Sequence, residues 1–320
     1  MIRCVGRILV TGGAGFIGSA FARYALSLGS EVVVLDNLST GQQSNFDELL
    51  NLGIHCVKGD IRDTDIVSEV LEGCQFVVHL AAKISVPESI QNPKETMDVN
   101  VNGTQSLIEQ CSKHKIKRFI LASSAAVYGD NQSLPLEEND SGVILSPYAE
   151  SKLMNEEQIT QLHSINCQTF ALRFFNVYGN GQRTKYGYSA VIPTFVEQMS
   201  NGCSPTVYGN GTQTRDFVHV DDVCKAIFAC LEYEGSNEGK LVFNIASQQS
   251  TTLVELIHLI NCILSENANM SPIQPLFSER REGDIHHSLG SIERIRTTLA
   301  WEPTIQLTEG LSKMIQRGRD

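Results

Sequence analysis

The chain is poor in the features that mark exported, membrane-spanning or nucleic-acid-binding proteins. None of its nine cysteines stands in a C-x-x-C pair, and most lie in apolar runs where a free thiol behaves as a small hydrophobe. A reduced, cytoplasmic compartment and no metal site are expected. No run of about eighteen apolar residues occurs, and the first apolar run, Ile8 to Val10, is too short for a signal-peptide core. Basic side chains are outnumbered, 25 Lys and Arg against 36 Asp and Glu, and the net charge of −11 over 320 residues repels nucleic acid and anionic membranes on average. An anionic ligand must therefore be gripped by local groups. There is no internal repeat, linker or low-complexity tract.

What is present is an alternation. Short β-branched runs, "RILV", "EVVVLD", "HCVKGD", "FVVHLAA" and "RFILASS", are separated by segments of helical spacing such as Phe16 to Leu28. Strands regularly separated by helices imply an α/β fold, a doubly wound parallel sheet with helices on both faces. "TFALRFF" continues the pattern, and from Asn176 to Thr214 the chain turns rich in Gly, Asn, Pro and Tyr. A boundary near residue 175 is expected, with a smaller α/β region over 176–320 and a segment of about 217–247 returning to the first sheet. Helices are expected over "DDVCKAIFACLEY", capped by Asp221 or Asp222, and over "TLVELIHLINCIL" after Thr251 and Thr252.

The stretch "ILVTGGAGFIGS" parses as Gly13-x-Gly15-x-x-Gly18 or as Gly12-x-x-Gly15-x-x-Gly18. Glycines alone would only build a turn. Here they follow a strand, open a helix and precede a second strand ending in Asp36. That is the setting in which backbone approaches a pyrophosphate and an acid binds the ribose hydroxyls. Asp36 disfavours a 2'-phosphate and so favours NAD over NADP. Asp60, after the third strand, could meet the adenine edge or cap the following helix.

In "SPYAESK", Ser146 can cap a helix and Pro147 can take its first position, which sets Tyr148 and Lys152 one turn apart on one face. A solvated helix face is the ordinary reading of that spacing. The alternative gains from "ASSAAVYG" at the carboxyl end of an apolar strand, where ligands bind in open α/β sheets and a serine can reach the same substrate oxygen. A phenol near pKa 10 is a poor base, but an adjacent ammonium and a cationic nicotinamide both favour the phenolate.

Eight segments in order, TGGAGFIG (11–18), HLAA (79–82), DVNVNGT (98–104), SSAAVYG (123–129), YAESK (148–152), RFFNVYG (173–179), GNGTQTRDFVHVDDV (209–223) and RREGD (280–284), resemble the extended short-chain dehydrogenase/reductase family over essentially the full length. Within it, the chain resembles the nucleotide-sugar 4-epimerases. The resemblance implies a Rossmann-like NAD-binding region and a nucleotide-sugar-binding region. It implies Ser124, Tyr148 and Lys152 as the catalytic set. Gly12, Gly15, Phe16, Ile17, Asp36, Asn37, Asp60, Ile61, Leu80, Ala81, Ala82, Tyr148, Lys152 and Phe174 would contact NAD, together with Asn100, which would also support the site's architecture. Ser85, Val86, Asn176, Val191, Tyr208, Arg215, Arg281, Asp284 and Ser288 would line the UDP-sugar site. Two arginines suit a diphosphate, although Arg215 could instead pair with Asp216 or Asp221, and Arg281 with Glu282.

The family's 4,6-dehydratases carry an acid pair just after the catalytic hydroxyl, where this chain has Ala125 and Ala126, so simple 4-epimerisation is the implied reaction. Four residues beyond Asp284, where a bulky residue narrows the pocket in some epimerases, stands Ser288; this most resembles the UDP-N-acetylglucosamine 4-epimerases. Ser288 could equally lie on the surface. A UDP-glucose or UDP-glucuronate 4-epimerase and a non-catalytic NAD sensor are the alternatives. The lysine that galactose 4-epimerases place after the fourth strand aligns with Ile84; Lys83, one place earlier, is given no role. Family members commonly pair through the helix bearing the Tyr/Lys motif and the one around Val99 to Lys113, which implies a homodimer.

Overall fold

The inner β-branched runs become strands because each is buried on both faces, as parallel strands must be, while the edge run "HCVK" is only partly covered. In the computed structural model, which describes residues 5–183, 190–235, 240–268, 270–280 and 285–317, the main sheet comprises β1 (Arg7–Thr11), β2 (Glu31–Asp36), β3 (His55–Lys58), β4 (Phe76–His79), β5 (Arg118–Ser124) and β6 (Gln168–Phe174). Three short strands follow, β7 (Asn176–Tyr178), β8 (Thr206–Tyr208) and β9 (Thr214–His219), then β10 (Lys240–Ile245), β11 (Ser250–Thr252) and β12 (Leu276–Ser278). The seven-stranded sheet is parallel throughout, in the order β10-β6-β5-β4-β1-β2-β3. The strand order reverses between β1 and β4, and the crevice beyond their carboxyl ends is where such sheets bind ligands.

Alternate residues of each strand feed two separate cores. Ile8, Val10, Val34, Val78 and Leu172 face one side with α1 (Phe16–Ser27). Leu9, Val33, Leu35, Val77 and Leu121 face the other, against α3 (Thr64–Leu71), which follows α2 (Gln43–Asn51). The helices between β4 and β5 are α4 (Val86–Gln91), α5 (Pro93–Met97), a one-turn π-helix over Asp98–Asn102, and α6 (Gly103–His114). α7 (Pro147–Gln158) follows β5, α8 (Val191–Ser200) follows β7, and α9 (Val220–Glu232) returns to the first core beside α1. α10 (Leu253–Ala268), α11 (Glu293–Leu299) and α12 (Leu307–Arg317) complete the chain.

A third core of Phe195, Val207, Phe217, Leu256, Ile260 and Leu311 joins α8, α10 and α12 to the small sheet β11-β9-β7. β8 pairs with β12.

The helix ends depart from expectation at one place. α9 is capped by His219, whose Nδ1 accepts from the Asp221 N–H, rather than by Asp221 or Asp222. Asp222 is instead fully buried and accepts from the Thr304 and Ile305 N–H groups and the Thr304 hydroxyl, tying the segment before α12 to α9. Thr252 caps α10 with Glu255 reaching back to its N–H, a reciprocal capping box. No helix among the described residues is long and apolar enough to cross a membrane.

Candidate active site

The glycine-rich loop leaves β1 and enters α1 with Gly15 as N-cap and no side-chain cap. The helix start thus presents backbone N–H groups in the crevice, a position that favours an anion. Gly12 has φ +69, and a Cβ there would lie 2.7 Å from the Ala81 nitrogen. Gly18 would drive a Cβ to 2.2 Å from the Gly12 carbonyl oxygen, so it permits α1 to pack on the loop. A Cβ at Gly13 would lie 2.6 Å from the Val34 side chain, so both parses of the loop have a steric reason at their first glycine.

Asp36 ends β2, buried, with Oδ2 accepting from Ala14 N–H at 2.9 Å and Oδ1 from Leu38 N–H at 2.8 Å. Burial pushes its pKa up while those backbone donors pull it down. This cradle, the open helix start and the buried acid fit a dinucleotide such as NAD. Phe16 and Ile17 open α1 beside the loop, and Leu80 to Ala82 face it from the end of β4, where Leu80 N–H donates to the Thr11 carbonyl at 3.1 Å.

Asn37 donates to Asp60 Oδ2 at 2.8 Å, and Arg62 forks onto the same carboxylate, holding its pKa below the usual range. Asp60 does not cap α3; Asp63 does, accepting from Asp65 and Ile66 N–H groups. Ile61, next along, is buried in the second core.

At the chemical end, Ser146 Oγ accepts from Ala149 N–H at 3.2 Å and Pro147 takes the first turn of α7, as the sequence implied. Tyr148 is half-buried and Lys152 is buried, 4 % exposed, so this is no solvated face. Lys152 Nζ donates to the Ala122 carbonyl at 2.8 Å and lies 5.9 Å from the centroid of the Tyr148 ring. Burial lowers its pKa to about 8, against the opposing charge of Glu156. Ser124 ends β5 two residues beyond Ala122, half-buried, beside Phe174 at the end of β6. Its Oγ accepts from the Ala126 N–H at 3.1 Å, which leaves the hydroxyl proton to point elsewhere.

Asn100 sits in the π-helix, buried. Its amide donates to the Lys83 carbonyl at 3.0 Å and to Ser151 Oγ at 2.9 Å, and its oxygen accepts from Lys83 N–H at 2.7 Å. Both amide hydrogens are spent on protein, so Asn100 clamps the loop after β4 onto α7. Lys83 turns its ammonium to Glu95 at 2.9 Å, which answers the departure noted in that loop.

Several residues here were not legible as site residues. Ser89, buried in α4, accepts from Tyr148 N–H at 3.2 Å, filling a donor that a helix start leaves open. His79 is fully enclosed, with Nδ1 2.7 Å from Thr11 Oγ1 and Nε2 2.8 Å from Thr104 Oγ1. Thr104 gives its one proton to the Asn100 carbonyl, so His79 must donate through Nε2 and accept at Nδ1 from Thr11. Burial and the Lys152 charge keep His79 neutral, with its pKa lowered to about 3. The chain from β1 through His79 to the π-helix thus couples the glycine loop to the Tyr/Lys helix. Bonded neighbours in it lie up to 68 residues apart, and no local pattern shows that they meet.

On the far side, Arg215 is in β9, its Nη1 donating to the Thr214 carbonyl at 2.8 Å and lying 3.5 Å from that of His286. The neighbouring Asp216 carboxylate, fully buried, accepts from Ser247 N–H and Oγ, Gln248 N–H and Gly290 N–H. That last bond holds the segment bearing Ser288, which is buried at 8 % exposure and is not a surface serine. His287 Nδ1 lies 3.0 Å from Thr214 Oγ1. Asn176 opens β7, Val191 opens α8 and Tyr208 ends β8, all half-buried. Ser85 caps α4 through Glu88 N–H, with Val86 next in line. Arg281 and Asp284 lie outside the described residues.

Residues 8–246 match the family described as NAD dependent epimerase/dehydratase. The UDP-glucose 4-epimerase of Mycolicibacterium smegmatis is 34% identical over 316 residues, 97% of each chain. The structure of UDP-N-acetylglucosamine 4-epimerase from Methanobrevibacter ruminantium, in complex with UDP-N-acetylmuramic acid, superposes with TM-score 0.89 at 34% identity, covering 97% of both chains. A variant of UDP-glucuronic acid 4-epimerase from Bacillus cereus, with NAD and UDP-4-deoxy-4-fluoro-glucuronic acid, gives TM-score 0.87 at 30% identity over 97% of this chain and 98% of that one. On fold and sequence alike, the chain belongs to the NAD-dependent epimerase/dehydratase family.

Proposed function

We propose that the chain is a UDP-hexose 4-epimerase acting on the UDP-N-acetylglucosamine/UDP-N-acetylgalactosamine pair. The observation that carries the reaction is the seating of Lys152, buried against the end of β5 with its ammonium facing the Tyr148 ring. Below pH 8 that ammonium favours the phenolate, and Tyr148 takes and later returns the proton of the sugar 4-hydroxyl. Ser124 holds the same oxygen. NAD, held by the glycine loop and Asp36, supplies reversible hydride acceptance at carbon 4 when bound. Arg215, with Arg281, grips the diphosphate while the sugar turns between the two proton transfers. Ala125 and Ala126 offer no acid or base for a dehydration.

Support for the N-acetylated sugar comes from Ser288, small and buried beside the Asp216 clamp. The testing experiment is a panel of UDP-glucose, UDP-N-acetylglucosamine and UDP-glucuronate, each assayed for its 4-epimer. Good turnover of UDP-glucose with none of the acetamido sugar removes the reading from Ser288. No turnover of any member, with NAD retained, removes the enzyme reading in favour of an NAD sensor.

A homodimer through α6 and α7 is part of the same proposal. Leu153 and Met154 on α7 are 38% and 40% exposed in the single chain, apolar area of the kind a partner covers. Light scattering at micromolar protein is expected to give twice the chain mass; a monomer removes the claim.

A further inference from the structure

One turn beyond Lys152 on α7, Glu156 is buried at 1 % exposure and faces Arg173 of β6, itself 7 % exposed. Arg173 Nε and Nη2 fork onto the two carboxylate oxygens, each at 2.9 Å, and Ser123 Oγ donates to Oε1 at 2.5 Å. Arg173 Nη1 reaches the Glu138 carbonyl at 3.0 Å, and the guanidinium lies over the Tyr128 ring at 4.8 Å. The pair touches neither the cofactor cradle nor the sugar residues described above. Stability is a poor reason for it, since an apolar pair of similar volume serves a core as well.

Its placement gives another reason. Ala122, Ser123 and Ser124 are consecutive: the first receives the Lys152 ammonium, the second donates to Glu156, the third is the proposed catalytic hydroxyl. The titratable and charged groups around Lys152 are Tyr148 and Glu156 on its own helix, neutral His79 from β4, and Arg173 from β6 behind Glu156; β5 contributes only its carbonyl. Among them Glu156 is the anion nearest in sequence, and it opposes the loss of charge that burial imposes on Lys152.

We propose that the Glu156–Arg173 pair is a positioning device: it keeps α7 in register with the end of β5, and the balance of its two charges sets the charge on Lys152. It rests on the reading of Tyr148 and Lys152 as the catalytic pair. Within it the halves act with opposite sign. Without the carboxylate, Lys152 faces an unpaired guanidinium and gives up its proton more readily; without the guanidinium, it faces an uncompensated carboxylate and holds its proton longer.

The test follows Lys152 Nζ by lysine-resolved NMR titration of the folded protein, alongside the pH dependence of kcat for UDP-sugar epimerisation. Glu156→Gln, which keeps the hydrogen-bonding shape, is expected to move both midpoints down by about one pH unit. Arg173→Gln is expected to move them up, and Glu156→Asp to leave them near wild type. Either single variant that folds suffices, because the sign is set for each. An unchanged midpoint in Glu156→Asp beside a shifted one in Glu156→Gln assigns the shift to the charge; equal shifts in both contradict it. Shifts of the same sign in both single variants, or a uniform fall in kcat with unmoved midpoints, overturn the proposal. The NMR midpoint does not depend on catalysis, so an inactive wild type with the expected shifts would sink the enzyme reading and leave this inference standing.

Discussion

Lys152 sets the pH response of the site. Its ordinary value of about 10.4 falls to about 8 because the ammonium is buried. Below about 8 the charge is present and favours the Tyr148 phenolate; above it the charge is lost and the phenol reverts to a weak acid. Epimerisation is therefore expected to decline as pH rises through about 8, read as kcat against pH at saturating sugar. A rate that holds to pH 10 would contradict this. Ser288 carries the specificity expectation. Ser288→Tyr fills the space beside the Gly290 clamp and should cost UDP-N-acetylglucosamine turnover at least about tenfold while sparing UDP-glucose, the scale of steric discrimination in a pocket. Equal losses on both sugars would show that Ser288 does not face the acetamide. Local spacing showed the helix start and the shared face, since Ser146, Pro147, Tyr148 and Lys152 lie within seven positions, whereas the roles of Tyr148, Lys152 and Ser288 came from the family resemblance. Glu156 was invisible as a site residue, since its meaning comes from Arg173, seventeen residues on and across a sheet.

The elements were legible where a single period governs them. β1, β2 and α1 stand where the runs of β-branched and helical spacing put them. The cap of α9 was not, because Asp221 and Asp222 are good N-cap types and only the packing of Asp222 against Thr304 shows that its carboxylate is engaged elsewhere. The π-turn that holds Asn100 has no sequence signature of its own, since one residue of helical overhang is decided by the contacts it gains with Lys83 and Ser151. Two consequences belong to this scale. Ser146→Ala removes the N-cap of α7 and should cost about 1 kcal/mol, measured by denaturant unfolding. Gly12→Ala places a methyl group against the Ala81 nitrogen in a left-handed backbone conformation and should abolish retention of NAD through gel filtration. A variant that keeps its NAD would show that the loop has room to yield.

At the scale of the whole molecule, two buried carboxylates tie distant segments of the chain together. Asp222 fastens the segment before α12 to α9, and Asp216 fastens the Ser288 segment and the turn at Ser247 to β9. Asp216→Ala strands several buried donors, each worth about 1–3 kcal/mol when unpaired, and should loosen the sugar side before the sheet unfolds, seen as a raised KM for the UDP-sugar with NAD still bound. The parallel sheet could be inferred from alternation, but these ties join positions 31 to 83 residues apart and follow no period. Arg281 and Asp284, expected to meet the substrate from the motif RREGD, lie outside the described residues. The most direct measurement is 4-epimerisation of UDP-N-acetylglucosamine and UDP-glucose by Tyr148→Phe beside the unaltered protein, with folding and bound NAD verified in both. A fall in kcat of about a hundredfold or more, with KM little changed, is expected; turnover near the original rate would contradict the assignment of the proton transfer to Tyr148.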